Sequence, residues 1–185
     1  MHGMQKRKLL DSALLKVTID RLCHQLIENH GDFDETVILG LQPRGTFFAG
    51  RIAGNLEKIL GKPLLLGHLD ATFHRDDFRR RDTPVKASTT HVPFVIEDKN
   101  VVLVDDVLYT GRSVRAAMDA MITFGRPNKV ELMVLINRKY SRDLPIEPNY
   151  VGQQVNSIQS QRVLVEWKEQ NFEDDNVILF TKEDE

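Results

Sequence analysis

One run constrains the fold more than any other: Val101-Val-Leu-Val-Asp-Asp-Val-Leu-Tyr-Thr-Gly-Arg-Ser113. Its four leading apolar residues read as a strand buried on both faces. Two carboxylates, Asp105 and Asp106, follow at once, and Thr110-Gly111 then leads into a helical pattern from Ser113. Buried strands of this kind belong to parallel sheets covered by helices on both faces. The turn also has chemical content. A glycine at a helix start points several backbone N–H groups at one spot, where the helix dipole favours an anion. Thr110 and Ser113 add hydroxyl donors. Such a cradle suits a phosphate monoester, and the two carboxylates suit a vicinal diol. Together they describe a ribose 5-phosphate site.

The rest of the chain is consistent with that architecture. Residues 1–8 read as a ragged, basic start. Leu15, Ile19, Leu22 and Leu26 recur at helical spacing, which predicts a helix over 12–29 with Asp11 or Ser12 as its cap and Gly31 past its end. Thr36-Val-Ile-Leu-Gly-Leu41 predicts a buried strand, and Gln42-Pro-Arg-Gly45 a loop. Phe48, Ile52, Leu56 and Ile59 mark a second helix that stops at Gly61. A second strand is expected over 64–73. Residues 74–90 are polar and carry no apolar period, so they read as functional or mobile. Phe94-Val-Ile96 and a turn at 97–100 lead into the strand at 101–104; residues 105–111 read as loop and 113–124 as helix. An apolar strand over 130–136 and weaker ones over 161–167 and 177–180 complete the pattern. The centre is β-α-β-β-α-β, an α/β fold with a parallel sheet. Ligands bind such sheets at the carboxyl ends of the strands, which singles out the loops after Leu41 and Val104.

Composition narrows the function classes. At 185 residues a single domain over 1–185 is the expectation. Cys23 is the sole cysteine, so an internal disulfide framework and a multi-cysteine zinc site are excluded. No apolar run approaches the ~18 residues of a membrane span, and the start does not resemble a signal peptide. A cytoplasmic protein without a membrane partner is therefore expected. The net charge of -2 is uneven: residues 166–185 carry eight acidic and two basic residues, and the rest of the chain 19 acidic and 23 basic. The body is mildly basic, and the tail acidic.

Apolar strand, acid pair, then Thr-Gly-Arg-Ser resembles the 5-phosphoribosyl 1-pyrophosphate (PRPP) signature of the type I phosphoribosyltransferases. The extended run is most similar to the branch of that family that combines pyrimidine operon regulation with uracil phosphoribosyltransferase activity. Asp70-Ala-Thr-Phe-His-Arg-Asp-Asp77, Gly125-Arg-Pro127, Leu144-Pro-Ile146 and Tyr150-Val-Gly152 resemble that branch in order and spacing, so the likeness spans nearly the whole chain. It implies a parallel-sheet core with a small hood, expected mainly at 137–160, and a flexible lid loop at 74–90. It implies that uracil and PRPP give UMP and pyrophosphate, with Mg²⁺ bound largely by PRPP oxygens. Asp105 and Asp106 would hold the ribose diol, and Tyr109, Thr110, Gly111, Arg112 and Ser113 the 5-phosphate. Tyr109 stands where some purine-specific relatives carry a catalytic Asp, so no general base is assigned there. Use of hypoxanthine or guanine is a lesser alternative.

Three further segments take roles from the resemblance. Gln42-Pro-Arg-Gly45 matches the pyrophosphate loop, with Arg44 neutralising the leaving group and Gly45 letting the backbone approach it. The family pattern there is Lys-Thr-Arg-Gly, so Gln42 and Pro43 remove a charge and a hydroxyl. Residues 40–46 also approach a P-loop but lack its Lys, which excludes an ATPase. In the lid, Arg75 is the expected catalytic contact to pyrophosphate, and Asp76 or Asp77 would approach Mg²⁺. Asn137 and Arg138 mark the base-binding region, where the family pattern is Asp-Arg-Gly. An amide in place of a carboxylate both donates and accepts.

Regulatory members of the branch bind a pyr mRNA leader through a basic face, with uridine nucleotides as co-effector. Arg21 and His24 match that pattern. The segment Gln153-Gln-Val-Asn-Ser-Ile-Gln-Ser-Gln161 carries amides where relatives have lysines, and each lost phosphate contact weakens RNA binding. Two readings follow: an enzyme making UMP, and a UMP-sensing transcription attenuation regulator with little catalysis. A homodimer or a dimer of dimers is the assembly the resemblance implies. If Arg75 closes over the leaving group, Arg75→Ala lowers turnover in a uracil-plus-PRPP assay while leaving the urea midpoint nearly unchanged; an unaltered rate removes Arg75 from the mechanism.

Overall fold

The computed structural model describes residues 4–76 and 88–182. A strand β1 (Met4–Leu10) precedes α1 (Ser12–His30), β2 (Thr36–Leu41), α2 (Gly45–Leu60) and β3 (Leu66–Leu69). After them come β4 (Asn100–Leu108), α3 (Arg112–Met121), β5 (Lys129–Lys139), β6 (Tyr150–Asn156), β7 (Gln161–Glu166) and β8 (Asn176–Lys182). Five strands form one sheet in the order β3-β2-β4-β5-β6, every pair parallel. The other three form an antiparallel sheet in the order β1-β8-β7.

The period of two along β4 explains the layers. Val102 and Val104 join a core with Phe48 and Ile52 of α2 and Leu22 of α1. Val101 and Leu103 face the opposite way, into a core with Val114, Ala117 and Met121 of α3. A central strand therefore has no polar face to alternate with, and reads as continuously apolar. The start of α1 follows its sequence: Asp11 Oδ1 accepts from Leu14 N–H at 2.9 Å. Gly31 ends the helix at φ 58°, a conformation an L side chain rarely adopts.

Several boundaries differ from the sequence expectations, each for a tertiary reason. The basic start is not ragged: β1 pairs antiparallel with β8 from the far end of the chain, from Met4↔Lys182 to Leu10↔Val177, with a register shift between Lys8 and Leu10. β4 runs to Leu108 because β5 continues to pair with it, so Asp105 and Asp106 lie within the strand and not in the loop after it. β5 likewise runs through Asn137 and Arg138 to Lys139, held by β6, which the sequence pattern missed. Of the segment 137–160 expected as hood, Asn137, Arg138, Lys139 and Tyr150–Asn156 are thus strands of the parallel sheet. β3 is shorter than expected, and a single turn of 3₁₀ helix (Thr72–His74) follows it. Ile59, expected on the buried face of α2, is 48% exposed.

The antiparallel sheet docks on the α2 side of the parallel one. Val163, Val165, Val177, Leu179 and Leu10 enter the same core as Phe48, and Trp167 stacks on Phe48 with ring centroids 6.4 Å apart. Arg51 of α2 grips this sheet from outside, donating to both oxygens of Glu169 at 2.8 Å and to Asp175 at 2.9 Å. Burying one side chain such as Phe48 contributes about 1.5–3 kcal/mol. A partly exposed ion pair contributes about 1 kcal/mol or less. Apolar packing therefore supplies most of the attachment, and the Arg51 fork fixes its alignment.

A polar network lies at the amino ends of the parallel strands. Glu131 of β5 meets His30 Nε2 at 2.7 Å, Tyr150 O–H at 3.2 Å and Lys129 at 2.6 Å. His30 Nδ1 lies 3.1 Å from Thr36 Oγ1, and Asn29 donates to the Tyr150 hydroxyl. Burial is the largest influence on His30 and lowers its pKa, against the pull of Glu131. The unfolded chain therefore takes up the His30 proton first as pH falls, which drains stability below the ordinary histidine value. Stability to urea is expected to be flat above about pH 7 and to fall toward pH 5.5; His30→Gln should flatten that slope, measured as the urea midpoint at the two pH values.

Candidate functional site

All five parallel strands present their carboxyl ends at one edge, and the loops there meet. The loop after β2 brings Arg44 across to β4. Arg44 Nε donates to Asp106 Oδ2 at 3.0 Å, and its Nη2 donates to the carbonyl of Val165 in β7. Gly45 follows because nothing larger fits: a Cβ there would sit 2.7 Å from Val104 O and 2.9 Å from Asp105 Cα. The expected role of Gly45 was close approach to a leaving group. The close approach observed is to β4 itself.

The acid pair is asymmetric. Asp106 is buried, and one of its oxygens belongs to Arg44 while the other accepts from Val107 N–H at 2.8 Å. Asp105 Oδ1 accepts from Asp106 N–H at 2.9 Å. Burial, and after it the charge of Asp106, pushes the Asp105 pKa well above the usual carboxylate range. The pair therefore offers one ion-paired carboxylate and one inclined to hold a proton, which lets it both accept from and donate to hydroxyls.

The turn into α3 has the shape the sequence predicts. Gly111 has φ 91°, and a Cβ on it would lie 3.0 Å from Ile146 Cγ1. Two independent constraints, the left-handed backbone and the wall of Ile146, thus require glycine. α3 begins at Arg112, so the N–H groups of its first turn open at this point. The flanking side chains are distributed differently from expectation. Arg75 donates to Ser113 Oγ, which places its guanidinium at the phosphate cradle. Arg112 turns away from the cradle and pairs with Asp76 and with Asp143, the latter at 3.1 Å. Asp77 and most of the expected lid lie outside the described residues.

Beside the cradle runs a strap that sequence reasoning did not assign. Asp143 and Leu144 donate their N–H groups to the carbonyl of Thr110 at 3.0 and 3.2 Å. Arg142 donates to the carbonyl of Tyr109, and also to Asn137 Oδ1 at 2.6 Å. Between the strap and the end of β5 opens a cleft of about 620 Å³, lined by Asn137, Arg142, Ile146 and Gln154 among others. The available signal was the charged pair Arg142-Asp143 set directly before Leu144-Pro-Ile146, a polar turn fixed by proline.

Arg138 does not meet its expectation as a base contact. It is 5% exposed and fully engaged: Nε donates to Ser157 Oγ at 2.8 Å, and Nη2 to the carbonyls of Ile158 and Gln161 at 3.1 and 2.8 Å. Its guanidinium lies 4.0 Å over the Tyr109 ring. Burial lowers its pKa, as it does for Arg142, yet a guanidinium stays charged throughout the working range. On α1, Arg21 and His24 are both exposed, one helical step apart. Arg21 donates to the carbonyls of Gly152 at 2.6 Å and Val151 at 3.3 Å, so it also secures β6. Among the described residues no helix is long and apolar enough to cross a membrane.

A family model described as phosphoribosyl transferase domain matches residues 6–170. The Bifunctional protein PyrR of Bacillus subtilis (strain 168) is 36% identical over 182 residues, covering 97% of this chain and 99% of that protein. The Bifunctional protein PyrR of Desulfosudis oleivorans is 40% identical over 176 residues, covering 95% and 97%. Among solved structures, the hypoxanthine phosphoribosyltransferase of Trypanosoma cruzi superposes with a TM-score of 0.71 at 14% identity, over 96% of this chain and 97% of that one. HGPRT-ase from Leishmania tarentolae, in complex with GMP, gives 0.71 at 16% identity over the same shares. These structural likenesses establish the fold.

The engagement of Arg138 yields a test. Removing its fork strands the buried Ser157 hydroxyl and two part-buried carbonyls, at about 1–3 kcal/mol for the unsatisfied groups. Arg138→Ala should lower stability to urea by about that amount, and Arg138→Lys should recover only part of it because an ammonium cannot reproduce the planar fork.

Proposed function

The chain belongs to the phosphoribosyl transferase domain family and is similar over nearly its full length to proteins named Bifunctional protein PyrR, and on that premise we propose that it converts uracil and PRPP to UMP and pyrophosphate. One observation carries the reading: β4 delivers Asp105 and Asp106 to the sheet edge and continues, through Gly111 at φ 91°, into the start of α3. Diol-binding carboxylates and a phosphate cradle are thus joined by a single rigid element.

The roles follow from the geometry. The opening N–H groups of α3, with Thr110 and Ser113, hold the 5-phosphate, and Arg75 at Ser113 adds a positive charge there. Asp105 and Asp106 hold the ribose hydroxyls. Arg44 and Gly45 form the pyrophosphate loop. Arg44 lies against Asp106, so it reaches the ribose and the leaving group from one anchor, the Val165 carbonyl. As pyrophosphate leaves, charge grows on its oxygens, and a cation already held at that place stabilises it. The cleft with Asn137 receives the base. Tyr109 carries no proton-transfer role; its ring covers Arg138, and its carbonyl anchors Arg142.

Mg²⁺ enters with PRPP in this reading. Asp105 and Asp106 would offer hard carboxylate oxygens of the kind Mg²⁺ takes alongside substrate phosphates, while Asp76 is engaged by Arg112, so most of the ion's ligands would come from PRPP. Its chemistry would be to neutralise the pyrophosphate oxygens.

A second reading, a UMP-sensing attenuator that binds pyr leader RNA, is supported by the exposure of Arg21 and His24 next to β6 and by the bifunctional names of the relatives. The engagement of Arg21 with two carbonyls and the amides of Gln153 and Gln154 weigh against tight phosphate contacts. The cytoplasm as location, and a homodimer or dimer of dimers as assembly, are part of the same proposal. The antiparallel sheet β1-β8-β7, which delivers Val165 to Arg44, takes the place of the hood in it.

Purified protein with uracil, PRPP and Mg²⁺ should form UMP, and Asp106→Asn should lower kcat/KM by about 10²-fold, equivalent to roughly 2.7 kcal/mol. A gel shift with pyr leader RNA and UMP, run beside a base panel, tests the alternatives. Tight RNA binding without turnover reverses the ranking, and faster use of hypoxanthine or guanine overturns the choice of base.

A further inference from the structure

We propose that Asp70 is a positioning residue: its carboxylate clasps two passes of the chain beyond β3 and so holds Arg75 at the phosphate cradle. The inference rests on the reading of that cradle as the 5-phosphate site and adds a residue that acts on it from outside.

The returning pass, Ser88 to His91, gives the clasp a fixed anchor. His68 of β3 and His91 exchange backbone hydrogen bonds, both at 2.8 Å. Asp70 N–H donates to Thr90 Oγ1 at 3.0 Å. Gln42, in the loop after β2, donates its side-chain N–H to the carbonyl of Thr89 at 3.0 Å and its backbone N–H to that of Leu69 at 2.9 Å. This pass is therefore tied both to β3 and to the loop that carries Arg44.

The outgoing pass is the single 3₁₀ turn Thr72–His74, none of whose residues is buried; Phe73 is 70% exposed. Apolar burial therefore contributes little to its direction. Asp70 does more. Its Oδ1 accepts from Thr72 N–H at 2.9 Å and from the Thr72 hydroxyl at 2.5 Å, while its Oδ2 accepts from Ser88 N–H at 2.6 Å. An ionised carboxylate suits this place because both oxygens are acceptors and its hydrogen bonds are charge-assisted. A carboxamide kept on Thr72 would turn N–H₂ toward Ser88 N–H, donor against donor. Three residues beyond Thr72, the Arg75 N–H lies 3.4 Å from the carbonyl of Thr72, and its guanidinium donates to Ser113 Oγ. The turn is thus bracketed by the clasp at its root and the cradle at its tip. A long guanidinium side chain loses much rotamer freedom on meeting an anion, and a root already fixed reduces that loss.

Binding of UMP to the full chain, read by calorimetry, tests the clasp without needing turnover. Arg75→Ala should weaken UMP binding about tenfold, roughly 1.4 kcal/mol. Asp70→Asn is nearly isosteric, keeps an acceptor for Thr72 and loses the one for Ser88; it should weaken binding about fivefold, and Asp70→Ala at least as much. The decisive readout is the double variant. Because Asp70 acts through Arg75, Asp70→Asn should weaken binding by less than about twofold once residue 75 is alanine. Additive losses, which a merely structural role would give, overturn the inference, and so does native affinity in Asp70→Asn, the variant that keeps the test open if Asp70→Ala does not fold. Native affinity in Arg75→Ala overturns the inference and leaves the phosphate to the N–H groups of α3. No UMP binding at millimolar concentration overturns the phosphate site and the inference together. The expected pattern with no UMP formed from uracil and PRPP sinks the enzyme reading and leaves the clasp standing.

Discussion

The ion pair of Arg44 with Asp106 is the contact on which the site depends. A strand buried on both faces that ends in two carboxylates creates a desolvation problem, because each charge loses water and repels the other. Two responses are visible. Asp106 pairs with Arg44 at 3.0 Å, and Asp105 is driven toward its protonated form. Arg44 in turn is held by the carbonyl of Val165, so the compensating charge comes from the β2 loop and its anchor from the antiparallel sheet. The ribose acids, the pyrophosphate loop and the second sheet are therefore one mechanical unit. The Trp167–Phe48 stack and the Arg51 fork serve the same end, since they hold β7 and β8 on α2 at the place where Val165 is needed.

A second unit forms on the other side of β4. The strap 142–146 is stitched to the phosphate loop by backbone bonds to Thr110, by Arg142 on the Tyr109 carbonyl, and by Ile146 against Gly111. Arg138 adds a tie from Tyr109 to the turn before β7. The phosphate loop is thereby tied through two arginines, one to Asn137 and one to residues 157–161.

Much of this was legible from residue order. The α/β class, α1 with its Asp11 cap, β2, α2 and the turn at Gly111 follow from local pattern, because burial on both faces, helical period and left-handed backbone each leave a mark on neighbouring residues. β1 and β6 left little. Met4–Leu10 is half basic and becomes a strand only because β8 returns to pair with it, and Tyr150–Asn156 is rich in amides and held as the edge of the sheet by β5. The site divides in the same manner. Asp105, Asp106, Gly111 and Ser113 lie in one short run and could be found together. Arg142 could not be linked to Asn137, nor Arg44 to Asp106, because neither pairing has any local period.

The sequence by itself determined the chemistry on offer: which strand is buried, which carboxylates it carries, and which turn opens N–H groups to an anion. These are properties of contiguous residues, set by sterics and by the exclusion of polar groups from a buried strand. Tertiary structure alone decided how the cations are used. Arg138 reads as a base contact but is consumed by carbonyls, Arg75 meets the phosphate cradle, and Arg142 joins Asn137 to the carbonyl of Tyr109. The reason is that a long, flexible guanidinium is placed by the acceptors that happen to surround it, and those acceptors come from strands and loops far away in the chain.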